Sequence, residues 1–269
     1  DDLIDSQQAR IELQEDRFFK YQVDFDQLKV DSSIGLICVS RPTNPSGNVL
    51  TDSECQQLDA IAIKNKVPLV IDAAYGTPFP NIIFNQANPF WNENTILCLS
   101  LSKLGLPGAR TGIVIANEDV IRYFSNLTAI SSLAPAGIGA AIVNKLIKDN
   151  ALMPLCHDVI LPFYRQRSQF ALELLNKAID DPRLHVHRPE GALFLWLWFE
   201  GLSIGTTELY QRMKQRGLLV VPGKYFFPGQ TRVSEHAESC IRMNFVQSEA
   251  DLSRGITILA EELRAAWKN

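Results

Sequence analysis

The chain has 269 residues, 46% of them hydrophobic, and a formal net charge of −4. That length allows one large domain or two smaller ones with a sizeable core. Acidic residues outnumber basic ones, 30 to 26, and no long basic run occurs, which argues against nucleic acid or an anionic membrane surface as a partner. The longest apolar stretch, Ala192 to Phe199, is too short to span a bilayer. Five widely spaced cysteines (Cys38, Cys55, Cys98, Cys156 and Cys240) fit neither a disulfide frame nor a zinc site. They read as small core residues in a reduced, cytoplasmic compartment, and no metal is expected. The acidic, polar start does not resemble a signal peptide, and a first residue other than Met suggests a piece of something longer.

Residues 1–30 are polar, with an extended apolar alternation around Phe18 to Phe25. Ile34 to Val39 reads as a short buried strand that runs into the loop Ser-Arg-Pro-Thr-Asn-Pro-Ser-Gly-Asn at 40–48. Thr51, with Glu54 three residues on, has the capping-box pattern and predicts a helix to Asn65. Strands follow at Val67 to Ile71, Ile96 to Leu99 and Gly112 to Ala116, then a helix from Glu118 to Asn126. The alternation of strand and helix predicts a doubly wound, mostly parallel α/β sheet.

Beyond residue 130 the pattern changes. Helices are expected at 135–148 and 152–178, the second kinked or divided at Pro162. Strands at 184–186, 193–199, 218–221 and 241–245 alternate with helices at 206–216 and 248–267. The expected organisation is therefore a large unit over 1–150 and a smaller C-terminal α+β unit over 151–269.

Three polar groups fall at the strand exits of the first unit: Asn44, Asp72 and Lys103. In a parallel sheet such exits share one edge, where α/β folds bind ligands. A lysine there is either a surface charge or a candidate Schiff-base former. Asp72 reads either as a turn residue or as a carboxylate facing a cation. Asn44 is either a turn residue before proline or a donor to a ligand oxygen. Tyr75 is a half-buried aromatic or a second donor. Ser100, Ser102 and Arg110 either cap their own turn or hold a phosphate. Arg242 interrupts an apolar strand, so it needs a core carboxylate or a substrate carboxylate. Pyridoxal phosphate would use all of these groups: a lysine for the imine, a carboxylate at the ring nitrogen, donors at the ring hydroxyl and an anion site for phosphate.

Asn-Pro-Ser-Gly at 44–47, Asp72 with Tyr75, Ser-x-Ser-Lys at 100–103 with Arg110, and Arg242 occur in this order in fold-type I pyridoxal-phosphate-dependent aminotransferases. The chain resembles the aspartate-aminotransferase superfamily over essentially its whole length. That resemblance implies Lys103 as the imine lysine and proton shuttle, and Asp72 at the pyridine nitrogen. It implies Asn44 and Tyr75 at the phenolic oxygen, and Ser100, Ser102 and Arg110 at the phosphate. Arg242, with Asn44, would bind the substrate carboxylate. A homodimer is implied as well. Asp-Ala-Ala-Tyr-Gly-Thr-Pro-Phe-Pro (72–80), Arg-Pro-Glu-Gly-Ala-Leu-Phe-Leu-Trp-Leu-Trp-Phe (188–199) and Val-Pro-Gly-x-x-Phe-Phe-Pro-Gly (221–229) narrow the resemblance. They point to the branch that exchanges the amino group between valine and pyruvate, giving 2-oxoisovalerate and alanine. Phe226–Phe227 and Trp196–Trp198 are the candidate wall for a small aliphatic side chain, or ordinary core. Lys103 and Arg110 stand one residue closer together than in many superfamily members. Members also carry about a third more chain ahead of this point, including a phosphate-binding helix start and a ring-stacking aromatic. Another class I/II aminotransferase, a β-lyase or an aminotransferase-like regulatory module are the alternatives.

Overall fold

A computed structural model describes residues 3–230 and 233–268. Two short strands open it, β1 (Arg10–Leu13) and β2 (Phe18–Gln22), and β3 (Ile37–Ser40) follows. Helix α1 (Asp52–Asn65) starts where the capping box predicts. The Thr51 hydroxyl accepts from the Glu54 N–H at 3.1 Å, and the Glu54 carboxylate accepts from the Thr51 N–H at 2.8 Å. The helix stops at Lys66, whose φ of 58° is left-handed. β4 (Leu69–Asp72), β5 (Thr95–Ser100) and β6 (Gly112–Ile115) complete a four-stranded sheet in the order β3-β4-β5-β6.

β3, β4 and β5 are parallel, because a helix or long loop carries the chain back each time. Only two 3₁₀ turns, Leu101–Leu104 and Pro107–Ala109, join β5 to β6, and β6 is accordingly antiparallel. In register, Ser40, Asp72 and Cys98 stand side by side at the carboxyl end. Leu69, Ile71, Leu97 and Leu99 are buried in one cluster with Cys55, Leu58 and Ala62 of α1. Residues of opposite pleat are less covered: Cys38 is exposed and Cys98 half-buried, so these two are not the core residues expected.

Helices α2 (Glu118–Ser132) and α3 (Gly137–Lys148) follow, α2 a turn and a half longer than expected. The short turn α4 (Leu152–Pro154) and a wide helical turn at Leu155–Ile160 lead into α5 (Leu161–Ala178). Pro162 sits in the first turn of α5, where its missing N–H is harmless, and so marks a division.

The second sheet contains β7 (Leu184–His187), β8 (Phe194–Phe199), β9 (Val221–Pro222) and β10 (Cys240–Asn244). Helices α6 (Gly205–Gln215), α7 (Glu235–Glu238) and α8 (Glu249–Ala266) are interspersed. Leu195, Leu197 and Phe199 of β8 share a core with Leu175 of α5, Leu209 of α6 and Leu259 of α8. Its alternate residues Phe194 and Trp196 lie in separate clusters. The strand expected at 218–221 shrinks to Val221–Pro222, since Gly217 has a φ of 86° and Pro222 follows at once.

The sheet order is β1-β2-β7-β8-β10-β9. The N-terminal strands therefore pair with the C-terminal ones: Phe18 lies opposite Val186 and Phe19 opposite His187. Strand pairing thus departs from the expected division into 1–150 and 151–269. We keep that division as a proposal, with residues 10–22 moved to the second unit. The physical reason is the apolar edge of β7, which Phe18 and Phe19 cover.

Candidate active site

Lys103 lies in the 3₁₀ turn that continues β5. The Ser100 hydroxyl caps this turn by accepting from the Ser102 N–H at 3.2 Å, and Gly105 closes it with a φ of 100°. The lysine is half-buried, and its Nζ stands 5.1 Å from the centre of the Tyr75 ring. Among the described residues no carboxylate lies within ion-pair distance of it.

Tyr75 follows β4 and is 7% exposed. Burial raises its pKa, the guanidinium of Arg242 opposes that, and the charge of Asp72 adds to it. The balance keeps the phenol protonated, hence a donor. Asp72 is exposed at the sheet end. It accepts from the Ala74 N–H at 3.0 Å and has no cationic partner among the described residues. Burial first, then the charge of Asp72, raises the thiol pKa of its neighbours Cys38 and Cys98.

Arg242 is held between two rings, 4.3 Å from the centre of Phe194 and 4.8 Å from that of Phe226. Its Nη1 donates to Asn44 Oδ1 at 2.6 Å. Of the two partners expected for this arginine, a core carboxylate or a substrate carboxylate, the first is absent among the described residues. Burial lowers its pKa, and the guanidinium is left with an open claim on an anion. Tyr75 and Phe194 meet edge to face at 6.1 Å, so Lys103, Tyr75, Phe194, Arg242 and Asn44 form one continuous group.

The hydroxyl of Ser100 is engaged in its own turn, the more modest of its two readings. Arg110 is exposed in a left-handed conformation (φ 47°), and its only polar contact among the described residues is a 3.5 Å approach to the Pro107 carbonyl. Ser102 adjoins Lys103, and its hydroxyl has no partner among the described residues. No hydrogen bond gathers Ser100, Ser102 and Arg110 around a common point. A cavity of about 330 Å³ is lined by Thr43, Pro45, Trp196, Phe226 and Phe227, among others. Trp198 is not part of that wall and stacks on His185 at 4.6 Å. A shallower hollow of about 390 Å³ beside Met153 and His157 contains none of the site residues. Phe194, one of the two rings on Arg242, is the residue that sequence reasoning missed. No local pattern marks it, because it reaches the half-buried arginine only through the pairing of β8 with β10.

Residues 7–259 match the family model for aminotransferase class I and II. The chain belongs to that family. This aminotransferase chain is 52% identical over 267 residues to valine–pyruvate aminotransferase of Escherichia coli (strain K12), covering 99% of the chain and 64% of that protein. It superposes on a crystal structure of valine–pyruvate aminotransferase from Salmonella typhimurium LT2 with a TM-score of 0.97 at 51% identity. All of the chain and 69% of that structure are covered. A putative amino-acid aminotransferase from Psychrobacter arcticum 273-4 gives a TM-score of 0.93 at 47% identity, over 97% of the chain and 62% of that structure. The aminotransferase chain thus spans somewhat under two thirds of the length of its curated E. coli relative.

Proposed function

We propose that the protein transfers an amino group between valine and pyruvate, giving 2-oxoisovalerate and alanine, with pyridoxal 5′-phosphate as cofactor. The observation that carries this is the pairing of an uncompensated amine at a sheet end, Lys103 over Tyr75, with an uncompensated arginine held by Asn44. The likeness to the E. coli and Salmonella enzymes supports the choice of valine and pyruvate.

The donor set fits the cofactor. Among the described residues, Lys103, Asp72 and Arg242 each lack an opposite charge, which leaves an amine, a carboxylate and a guanidinium free to meet a ligand. An aldehyde, a pyridine nitrogen and a substrate carboxylate would answer these three in turn. Asp72 would keep the ring nitrogen protonated, Tyr75 and Asn44 would donate to or face the ring oxygen, and Ser100, Ser102 and Arg110 would meet the phosphate. When bound, the cofactor supplies an electron sink for the bond to the reacting carbon. Lys103 would take the proton from that carbon and return it on the other side of the transfer. Arg242, whose guanidinium lies against both Phe194 and Phe226, would supply the planar fork that grips a carboxylate in two places. Its grip fixes which substituent faces the lysine. The cavity beside Phe226 and Phe227 suits a small aliphatic side chain. Each methylene there is worth about 1–3 kcal/mol, so alanine, 2-aminobutyrate and isoleucine are expected to be slower substrates. A cytoplasmic homodimer is part of the same proposal.

The test is a single half-reaction. Valine added to the loaded protein should yield 2-oxoisovalerate equal to the protein sites, with no ammonia; ammonia release would replace transfer with a lyase. Lys103→Ala should remove both the product and the visible absorbance of the lysine-bound cofactor. A lysine-free variant that keeps the absorbance would refute the assignment of Lys103.

A further inference from the structure

We propose that the buried ion pair Lys20–Glu190 is a positioning pair that aims Asn44 at Arg242. The inference rests on the reading of Asn44 and Arg242 given above and extends it to two residues outside the site.

Both residues are 8% exposed, Lys20 on β2 and Glu190 between β7 and β8. The lysine spends all three of its N–H donors. One goes to the Glu190 carboxylate, one to Asn48 Oδ1 at 3.0 Å and one to the Val49 carbonyl at 3.2 Å. Glu190 in turn accepts from the Val49 N–H at 3.0 Å. Asn48 and Val49 are the outgoing limb of the loop that carries Asn44. That loop is closed on itself, with the Thr43 N–H on the Asn48 carbonyl and the Gly47 N–H on the Thr43 carbonyl, both at 2.8 Å. Holding 48–49 therefore holds 44.

The next residue is held as firmly. Gly47 backs onto Gly191, whose carbonyl oxygen would lie 2.6 Å from any Cβ at 47. The Glu190 carbonyl accepts from the Phe84 N–H at 2.7 Å, and the Ala192 N–H donates to the Ile82 carbonyl at 3.0 Å. The Ile82 N–H reaches back to the Tyr75 carbonyl at 2.8 Å. Two residues further on, at the start of β8, comes Phe194, against the arginine. Three segments that carry Asn44, Tyr75 and Phe194 thus converge on Glu190 and Gly191. A buried ion pair gives little net stability, because desolvation offsets the attraction. Fixing geometry is the effect such a pair retains. Its action runs through Asn44 to the substrate-carboxylate side, with no direct link to the turn of Ser100 and Ser102.

The test is a coupling cycle in the full-length, cofactor-loaded enzyme. Lys20→Met should raise the KM for valine roughly tenfold with kcat changed by less than about threefold. Lys20→Arg, which keeps the charge and the donors, should restore most of that loss. In an Asn44→Ala background the same Lys20→Met should add less than about twofold, because its target is gone. Equal effects of Lys20→Met with and without Asn44 would overturn the proposal, as would an unchanged KM. Glu190→Gln is the second entry to the cycle if Lys20→Met does not fold. A separate readout needs no catalysis. In the cofactor-free protein, Lys20→Met should speed amide hydrogen exchange at Gly47 and Val49 and leave Leu195 and Ile241 unchanged. Uniform or absent acceleration would overturn the positioning role. An enzyme inactive towards every amino acid would instead sink the transaminase reading, while the exchange result still decides the pair.

Discussion

His187 offers a pH test of the packing behind the site. Its ring is fully buried, between the backbone of β2 and that of residue 188. Nε2 accepts from the Tyr21 N–H at 3.2 Å, and Nδ1 faces the Arg188 carbonyl at 2.9 Å. An amide can only donate and a carbonyl can only accept, so the ring must be neutral with its hydrogen on Nδ1. Burial, reinforced by the charge of Lys20, lowers its pKa from 6.5 to about 3. The folded value lies below the unfolded one, so the unfolded chain binds the extra proton between them. The contribution of the neutral ring is complete above 6.5 and is lost as pH falls towards 3. Between pH 7 and about pH 5 this one group should cost about 2 kcal/mol of stability, at about 1.4 kcal/mol per pKa unit. Urea unfolding of the wild type and of His187→Gln at both pH values measures it. The wild type should lose about 2 kcal/mol more than the variant over that interval. Parallel losses would refute the neutral-ring argument, whatever the variant does to stability at neutral pH.

Two further outcomes are expected. Arg242→Lys retains a charge but neither the fork nor the flat face between two rings, so kcat/KM for valine should fall by about a hundredfold or more while cofactor affinity changes little. Steady-state kinetics beside a cofactor titration checks it, and an equal loss in both would show that Arg242 holds the cofactor. Gly191→Ala would place a Cβ 2.6 Å from the Ile82 carbonyl oxygen and 2.7 Å from Pro42 Cγ. Thermal unfolding should register a loss of about 1–3 kcal/mol, whereas the Cβ of Gly105→Ala would meet open space. Because Gly105 has a φ of 100°, a smaller loss from strain is expected at that position too.

Local patterns in the sequence carried the first sheet. The capping box of α1, the parallel strands and the three polar exits all lie within short stretches, where period and turn chemistry act directly. Lys103, Tyr75, Asn44 and Arg242 lie in one continuous group with Phe194, and their roles belong to the proposal. What escaped depends on register across distance. Phe194 reaches Arg242 only because β8 lies antiparallel to β10, with Trp196 opposite Arg242. Lys20 and Glu190 look like any surface charges in the sequence, since nothing local reveals that both are buried. The phosphate group of residues is the reverse case: Ser100 fits the motif, yet its hydroxyl serves its own turn.

The pairing of β2 with β7 sets an order of assembly. Tyr21 and His187 touch across 166 positions of chain, so a ribosome must add that whole stretch before β2 can find its neighbour. The four-stranded sheet has no such wait, because its strands all lie between residues 37 and 115. During synthesis Phe18 and Phe19 leave the exit tunnel well before Val186 and His187, and until then stay without that strand partner. Closing so long a loop is also entropically slow. Completion of the second sheet, and with it the seating of Lys20 beside Glu190, is thus tied to the arrival of β7 and the segment after it.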